Sequence, residues 1–266
     1  MLLPADYHMH TPLCRHAVGE PTAYAAHAVR IGLPEIGFTD HSPMPRDDFD
    51  DWRMRAEDLD DYIAKVDQAR RDHSDLTIKI GLEVDYFPGG EDWVRELAGR
   101  HPWDYFIGSV HYISDAWAID NPYLLSEWKK RDPLAVWETY CERLTQAAAS
   151  GLFDIIGHVD LCKKFGMHPP GNTTRLFVPF IKTAASHGVA IELNTAGLRK
   201  DCREIYPDAG ILRLSHEAGI PIAFGSDAHA PEEVGMQFEE AVALARSCGY
   251  TTCCRFTGQR RELLPF

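Results

Sequence analysis

Short apolar runs that end in a histidine or an acidic residue recur along this chain of 266 residues. The first run, residues 5–10, ends in His8 and His10 and is followed at once by Thr11 and Pro12, which stop a strand. Residues i and i+2 of a strand point to the same face, so the two imidazoles can meet at one point. A single pair of this kind is more often a solvated strand face. Its recurrence is what constrains the fold.

The same pattern returns in five later segments. Their apolar runs end in these polar residues: Asp40 and His41, Glu83, His111, His158, and Asp227 with His229. The last pair repeats the i, i+2 spacing of the opening pair. Histidines without a common role have no reason to fall repeatedly at the ends of buried strands. We therefore interpret these residues as one set.

Helical patterns separate the apolar runs. They cover residues 21–31, 56–71, 91–97, 133–150, 176–187, 211–219 and 238–247. Regular alternation of strand and helix predicts an α/β fold with a parallel sheet and right-handed crossovers. About seven such strands close into a barrel, with residues 251–256 as a last edge strand. Since there is no internal repeat, low-complexity tract or long linker, a single domain over residues 1–266 is expected.

Composition narrows the classes of function. The hydrophobic content of 45% suits one large core, and the formal charge of −13 argues against a nucleic-acid partner. No apolar run approaches the roughly 18 residues of a membrane span, and no signal-like segment is present, so no membrane association is expected. Seven cysteines without a C-x-x-C pair indicate reduced thiols, which favours the cytoplasm. The oligomeric state is left open.

At the open end of such a barrel, nitrogen and oxygen donors converge in a number too large for one ion. The candidate metal ligands are His8, His10, His16, His41, Glu83, His111, His158, Asp227 and His229. Four to six donors per ion imply two or three divalent ions, and imidazole with carboxylate suits zinc, iron or manganese. Such clusters activate water and clamp both oxygens of an in-line displacement, so phosphoester hydrolysis is favoured.

A phosphatase also needs cations that bind phosphate. Arg199, in a glycine-containing loop after the sixth strand, is the first candidate and Lys163 is the second. Either residue is equally well explained as an ordinary surface cation. The aromatic segment 117–122 is interpreted as a lid that either packs on the rim or contacts substrate. Cys14, between two candidate ligands, is interpreted as a packing residue.

Six motifs resemble, in order, those of the polymerase and histidinol phosphatase (PHP) superfamily. They are residues 8–10 (HMH), 39–41 (TDH), 81–83 (GLE), 108–111 (GSVH), 157–160 (GHVD) and 225–229 (GSDAH). Within it, segments 106–121, 192–200 and 225–235 look like the histidinol-phosphate phosphatase branch. The resemblance covers nearly the whole chain and implies a distorted (β/α)7 TIM-like barrel with a trinuclear metal centre.

The resemblance also implies a ligand set for each ion. The first would be held by His8, His10, Glu83 and Asp227, the second by Glu83, His111 and His158, and the third by His16, His41 and His229. A metal-bound hydroxide would attack phosphorus in L-histidinol phosphate, giving L-histidinol and inorganic phosphate in histidine biosynthesis. The family pattern does not fix the group that protonates the leaving alkoxide, and Asp160 is the candidate.

Two other interpretations stay open. Another PHP phosphoesterase, acting on a nucleotide, a sugar phosphate or phosphotyrosine, would share the same metal chemistry. A non-catalytic barrel, in which metals serve stability or a partner interface, is disfavoured because all nine ligand positions are kept.

Overall fold

The computed structural model describes residues 3–114 and 117–266, and a curled sheet of six parallel strands forms its centre. The strands are β1 (Glu35–His41), β2 (Thr77–Asp85), β3 (Tyr105–Ser109), β4 (Tyr112–Ser114), β5 (Trp117–Ala118), β6 (Ile155–Ile156), β7 (Ala190–Asn194), β8 (Ile222–Gly225), β9 (Thr252–Thr257) and β10 (Arg260–Pro265). The helices are α1 (Pro21–Ile31), α2 (Leu59–Asp72), α3 (Glu91–Ala98), α4 (Leu125–Trp128), α5 (Pro133–Ala149), α6 (Val178–His187), α7 (Ala209–Glu217) and α8 (Phe238–Ser247).

The central sheet has the order β1-β2-β3-β6-β7-β8, and every neighbouring pair is parallel. Helices connect most of these strands in sequence and cover the outside of the sheet, as right-handed βαβ crossovers require. The fold is therefore an α/β, distorted TIM-like barrel, as predicted. Parallel strands carry all their C-terminal ends to one edge, which is where the candidate ligands lie.

Residues 5–10 close the barrel, although they do not form a continuous strand. Asp6 pairs with Ile36 of β1, and Met9 pairs with Ala228 just beyond β8. The segment is extended and buried as expected, but its hydrogen bonds are divided between the first and the last strand of the sheet. This division explains why a strand predicted from the residue pattern appears only as two isolated bridges.

Aromatic and aliphatic side chains fill the lower end of the barrel, where the parallel strands begin. Tyr7, Tyr105 and Phe256 pack there with ring centroids 5.0–5.5 Å apart. Phe256 comes from β9, the predicted last strand, which pairs with β10 as an antiparallel hairpin rather than joining the main sheet. Gly37 of β1 leaves the space for this packing, because a Cβ there would lie 2.0 Å from the Tyr105 hydroxyl oxygen.

Helix boundaries follow the local signals in the sequence. Helix α1 begins at Pro21 and ends at Gly32, whose left-handed backbone (φ 77°) terminates the helix. Helix α5 begins after Asp132, whose side chain accepts a hydrogen bond from the Leu134 amide. The buried stripe of α5 includes Trp137, and each such large apolar side chain contributes roughly 2 kcal/mol of burial free energy.

Two expectations about the whole chain have different outcomes. Within residues 3–114 and 117–266, no helix is both long enough and apolar enough to cross a membrane. The single domain over 1–266 stays a prediction, and residues 1, 2, 115 and 116 lie outside the described part of the chain.

Asp154 generates a prediction about stability. Its carboxylate accepts the Phe106 amide (2.8 Å) at the lower end of the barrel, and burial raises its pKa to about 6. Between the unfolded and folded pKa values the folded state binds more protons, so stability falls as the pH rises from about 4 to about 6. In Asp154→Asn the side-chain oxygen still accepts the amide, and this loss should disappear. We expect the variant to be more stable at pH 7.5 by about 1–2 kcal/mol.

The measurement is urea unfolding of metal-free protein between pH 4 and pH 8. Asp75→Asn, at an exposed position, is the matched control and should follow the wild-type curve. Parallel curves for Asp154→Asn and the wild type would contradict the prediction.

Candidate metal centre

The structure brings the nine predicted ligand side chains to the C-terminal mouth of the barrel. His41 ends β1, Glu83 lies near the end of β2, and His8 and His10 belong to the closing segment 5–10. The others follow the ends of strands or, for His16, the closing segment. Most of these side chains are nearly or fully buried. Buried imidazoles and carboxylates cost free energy unless they bind a cation or one another.

Four donor atoms form a first group. His8 Nε2 lies 3.4 Å from Glu83 Oε2 and 3.8 Å from Asp227 Oδ1. His10 Nε2 lies 3.2 Å from Asp227 Oδ1 and 3.8 Å from Glu83 Oε2. Ligand atoms about 2.0–2.1 Å from a tetrahedral ion are separated by about 3.3 Å. These four separations therefore have the size expected around one transition-metal ion.

A second group surrounds the other oxygen of the same glutamate. Glu83 Oε1 lies 2.9 Å from His158 Nε2 and 3.5 Å from His111 Nε2, and it accepts the Ser109 hydroxyl at 2.6 Å. The two oxygens of Glu83 thus face two different sets of histidines. This is the arrangement of a carboxylate that bridges two ions.

The remaining histidines are arranged differently from the predicted third set. His16 Nε2 and His229 Nε2 are 2.9 Å apart, but His41 Nδ1 lies 2.8 Å from Glu83 Oε2. Ligand atoms converge instead in the groups His10, His41 and His229 and Cys14, His16 and His229. Burial raises the pKa of the Cys14 thiol, which favours a protonated packing residue there.

The residues present fit a polynuclear transition-metal centre. Among the described residues, His8 Nε2, His41 Nδ1 and Glu83 Oε2 are buried and make no hydrogen bond of good geometry, although the last two atoms lie 2.8 Å apart. Burial alone would raise the pKa of Glu83, but His41 and the other surrounding histidines hold its pKa well below the ordinary value. An ionised carboxylate and unpaired ring nitrogens each cost about 1–3 kcal/mol when left unsatisfied. Bound cations would satisfy them together.

Three carboxylates outside the predicted set hold the far side of ligand rings. Glu192 Oε1 lies 2.6 Å from His8 Nδ1, and Asp85 Oδ1 lies 2.8 Å from His111 Nδ1. Asp40 Oδ1 is 3.5 Å from His10 Nδ1. Sequence reasoning missed Glu192 and Asp85, although Glu192 follows an apolar run two residues before the end of its strand, as Glu83 does. That shared pattern is the signal that could have identified it.

The predicted proton donor and the second phosphate-binding candidate do not face the cavity. Asp160 and Lys163 form a buried ion pair with Oδ2 and Nζ 2.9 Å apart, and each is 1% exposed. Asp160 also accepts the Asp208 amide, and the Lys163 ammonium also contacts Ile205 O and Glu204 Oε2. These contacts use all three donors of the ammonium group.

Arg199, the first phosphate-binding candidate, contacts the backbone beside the donor groups and does not face the cavity. Its Nη2 donates to Ser226 O (2.8 Å) and lies 3.4 Å from Asp227 O, while its Nε is 3.4 Å from Glu233 Oε1. Arg199 therefore holds the backbone that carries Asp227, and it does not line the cavity described next.

A cavity of about 440 Å³ opens onto the donor groups. Its lining includes two lysines that sequence reasoning did not select, Lys164 and Lys200. Of the predicted lid, Trp117 packs into the core, whereas Asp120 lines the cavity. Contact of this segment with substrate stays a prediction, supported by the position of Asp120 in the cavity lining. Tyr123, beyond the predicted lid, lines the cavity and is otherwise 92% exposed.

Known families and relatives match this chain over most of its length. The PHP domain family matches residues 6–196, and the PHP-associated family matches residues 211–238. A probable histidinol-phosphatase of Deinococcus radiodurans is 43% identical over 261 residues, covering 98% of each chain. The histidinol-phosphatase of Bacillus subtilis is 29% identical over 262 residues, covering 88% of this chain and 96% of its own.

A solved structure has a similar fold. Histidinol phosphate phosphatase from Lactococcus lactis, complexed with zinc, L-histidinol and phosphate, aligns with a TM-score of 0.82 at 20% identity. The alignment covers 98% of this chain and 100% of that chain.

Because the Glu83 carboxylate faces both donor groups, substituting it tests how many ions the protein binds. Glu83→Gln keeps the size of the side chain but removes the negative charge that faces both donor groups. We expect the metal-loaded, desalted variant to retain at most about one ion per chain, against two or three for the wild type. Elemental analysis of the purified proteins measures this. Glu239→Gln, at an exposed position of α8, is the control, and full metal content in Glu83→Gln would show that the carboxylate is not a bridge.

Proposed function

Since this chain belongs to the PHP domain family, we propose that it is a metal-dependent phosphatase that hydrolyses L-histidinol phosphate to L-histidinol and inorganic phosphate, a reaction of histidine biosynthesis. The observation that carries the proposal is the pair of donor groups on the two oxygens of Glu83, beneath a cavity of about 440 Å³. The full-length relative at 43% identity supports the substrate.

The proposed ligands follow from the donor separations. His8, His10, Glu83 and Asp227 would hold one ion, and Glu83, His111 and His158 a second. For a third ion, His16 and His229 are already close, and His41 would have to turn away from Glu83 to join them. The ions, zinc, iron or manganese, would supply an activated water and neutralise phosphate charge when bound.

The phosphate-binding cation that we propose is Lys164. Its Nζ donates to Asp120 O at 2.8 Å and to Asp120 Oδ2 at 3.0 Å, which leaves one of its three N–H groups for a phosphate oxygen. Lys200 lines the same cavity and is the second candidate. Arg199 would act indirectly, by fixing the backbone carbonyls next to Asp227. Asp160 and Lys163 would have a structural role as a buried pair.

The other parts of the substrate match other parts of the cavity lining. L-histidinol phosphate carries an ammonium group and an imidazole besides its phosphate. Asp51 and Asp120 offer carboxylates for the ammonium, and Trp52 and Tyr123 offer aromatic faces for the imidazole. A phosphomonoester without a cationic group would form no ion pair with Asp51, whereas Asp120 would keep its contact with Lys164.

We also propose a reducing compartment, the cytoplasm, as the place of action. All seven cysteines are free thiols, and six of them are buried. The net charge of −13 supports a small-molecule substrate rather than nucleic acid.

A substrate panel tests the proposed function. Metal-loaded protein is assayed with L-histidinol phosphate beside a nucleoside monophosphate, a sugar phosphate and phosphotyrosine. We expect kcat/KM for histidinol phosphate to exceed the others at least tenfold, which corresponds to about 1.4 kcal/mol. A higher kcat/KM for another ester would favour the alternative phosphoesterase. If no ester were hydrolysed while a chelator still lowered the Tm, the metals would serve stability alone.

Two neighbouring lysines provide a matched pair of variants. Lys164→Ala should raise KM for histidinol phosphate about tenfold or more, because a charge-assisted phosphate contact is lost. It should lower the Tm less than Lys163→Ala does, because the Asp120 side chain, 20% exposed, keeps access to solvent. Lys163→Ala should lower stability by about 3–5 kcal/mol, because Asp160 would stay buried without its cation. Steady-state kinetics and thermal unfolding measure the two effects. Equal changes in KM for the two variants would contradict the assignment.

A further inference from the structure

We propose that Glu192 is a positioning residue that fixes the ring of His8 and the backbone of His158, and so couples the two donor groups. The inference rests on the proposed metal centre but not on the identity of the substrate. Strand β7, which carries Glu192, contributes none of the nine predicted ligands. Its role in the centre would be this support.

Three hydrogen-bond donors converge on the Glu192 carboxylate. Its Oε1 lies 2.6 Å from His8 Nδ1, and its Oε2 accepts the His158 amide at 2.8 Å and Asn194 Nδ2 at 3.1 Å. The side chains of His8 and Glu192 are 0% and 1% exposed, so solvent does not share these contacts. His8 belongs to the first donor group and His158 to the second.

Only a carboxylate satisfies this arrangement. Both oxygens of Glu192 have to accept, one from the imidazole and the other from the backbone and the amide. A glutamine has one acceptor oxygen, and its NH2 group would face either the ring N–H or the His158 amide. The two acceptor oxygens of Glu192 therefore matter more for these contacts than the size of its side chain.

The contact with Nδ1 would also favour one tautomer of His8 when an ion is bound. If Nδ1 carries the proton that Glu192 accepts, the lone pair lies on Nε2, the atom that faces Glu83 Oε2 and Asp227 Oδ1. A carboxylate on the far nitrogen fixes ring orientation and raises the basicity of the ligand nitrogen. Asn194 extends the support, since its Nδ2 also lies 3.4 Å from Asp227 Oδ2.

The neighbouring strand leaves room for this contact. Gly225 of β8 pairs with Asn194 in the parallel register. A Cβ at Gly225 would lie 2.1 Å from Glu192 Oε1 and 2.7 Å from His8 Cβ. Position 225 of the 225–229 motif therefore requires glycine, because any side chain there would separate Glu192 from His8. This observation is independent of the hydrogen bonds.

Glu192 differs from the other two supporting carboxylates in that it contacts ligands of both donor groups. Asp85 faces the ring of His111 and lies 3.4 Å from the amide of the same residue. Asp40 faces the ring of His10 and accepts the His41 amide at 2.8 Å, so neither carboxylate contacts ligands of both donor groups. Glu192 contacts ligands of both groups. A substitution there should affect both ions rather than one.

The test compares Glu192→Gln with wild type in two measurements. Competition with a chromogenic chelator gives the zinc affinity, which we expect to fall roughly 10–100-fold. Proton NMR of zinc-loaded protein labelled with nitrogen-15 histidine gives the signal of the His8 Nδ1–H, which we expect to move to higher field because a neutral amide oxygen is a weaker acceptor than a carboxylate. Asp154→Asn, a buried carboxylate that also accepts a backbone amide but lies at the other end of the barrel, is the control and should change neither.

Two further variants keep the test decisive if Glu192→Gln folds poorly. Glu192→Asp retains both acceptor oxygens and should recover part of the zinc affinity. Gly225→Ala retains the carboxylate but displaces it, and should lower the zinc affinity in the same direction as Glu192→Gln. Wild-type zinc affinity and an unchanged His8 Nδ1–H signal in the glutamine and alanine variants would overturn the inference. A wild-type protein without affinity for transition metals would overturn the centre as well, whereas a metal-loaded but inactive wild type would overturn only the substrate.

Discussion

The ionised carboxylate of Glu83, buried in the mouth of the barrel, is the constraint on which the rest of the centre depends. Removing such a charge from water costs several kcal/mol unless cations or strong donors surround it. Here the surroundings are His8 and His41 on one oxygen and His111, His158 and Ser109 on the other. The two oxygens therefore organise two sets of donors, and the distances between those sets follow from the size of one carboxylate group.

Supporting contacts around this carboxylate are as specific as the donors themselves. Buried imidazoles can rotate and can carry their proton on either nitrogen, so a ligand ring needs a partner on its far side. Glu192, Asp85 and Asp40 provide these partners, and the Arg53 guanidinium in turn holds Asp85 at 2.8 Å. Below this polar layer the barrel is filled by Tyr7, Tyr105 and Phe256, which gives the layer a rigid base.

Much of the fold and the donor set could be predicted from sequence, since both depend on simple periodicities. A ligand at the C-terminal end of a strand is recognisable because the apolar run, the break and the polar residue lie together. The orientation of side chains in irregular turns is not local information. Lys163 and Lys164 are adjacent, yet one is buried against Asp160 and the other lines the cavity. The partner of Glu192, by contrast, lies 184 positions away along the chain, so no local pattern could show whether it faces an ion or a ring.

The closing segment, residues 5–10, joins the first strand to the region after the last one and also carries His8 and His10. During synthesis these histidines leave the ribosome long before Ala228 and Asp227 exist. The seam of the barrel and the first donor group therefore form in the same late event, once the final strand is available. Premature capture of metal by a half-made chain is disfavoured, because such a chain contains the two histidines and Glu83 but lacks Asp227, the second carboxylate of the first donor group.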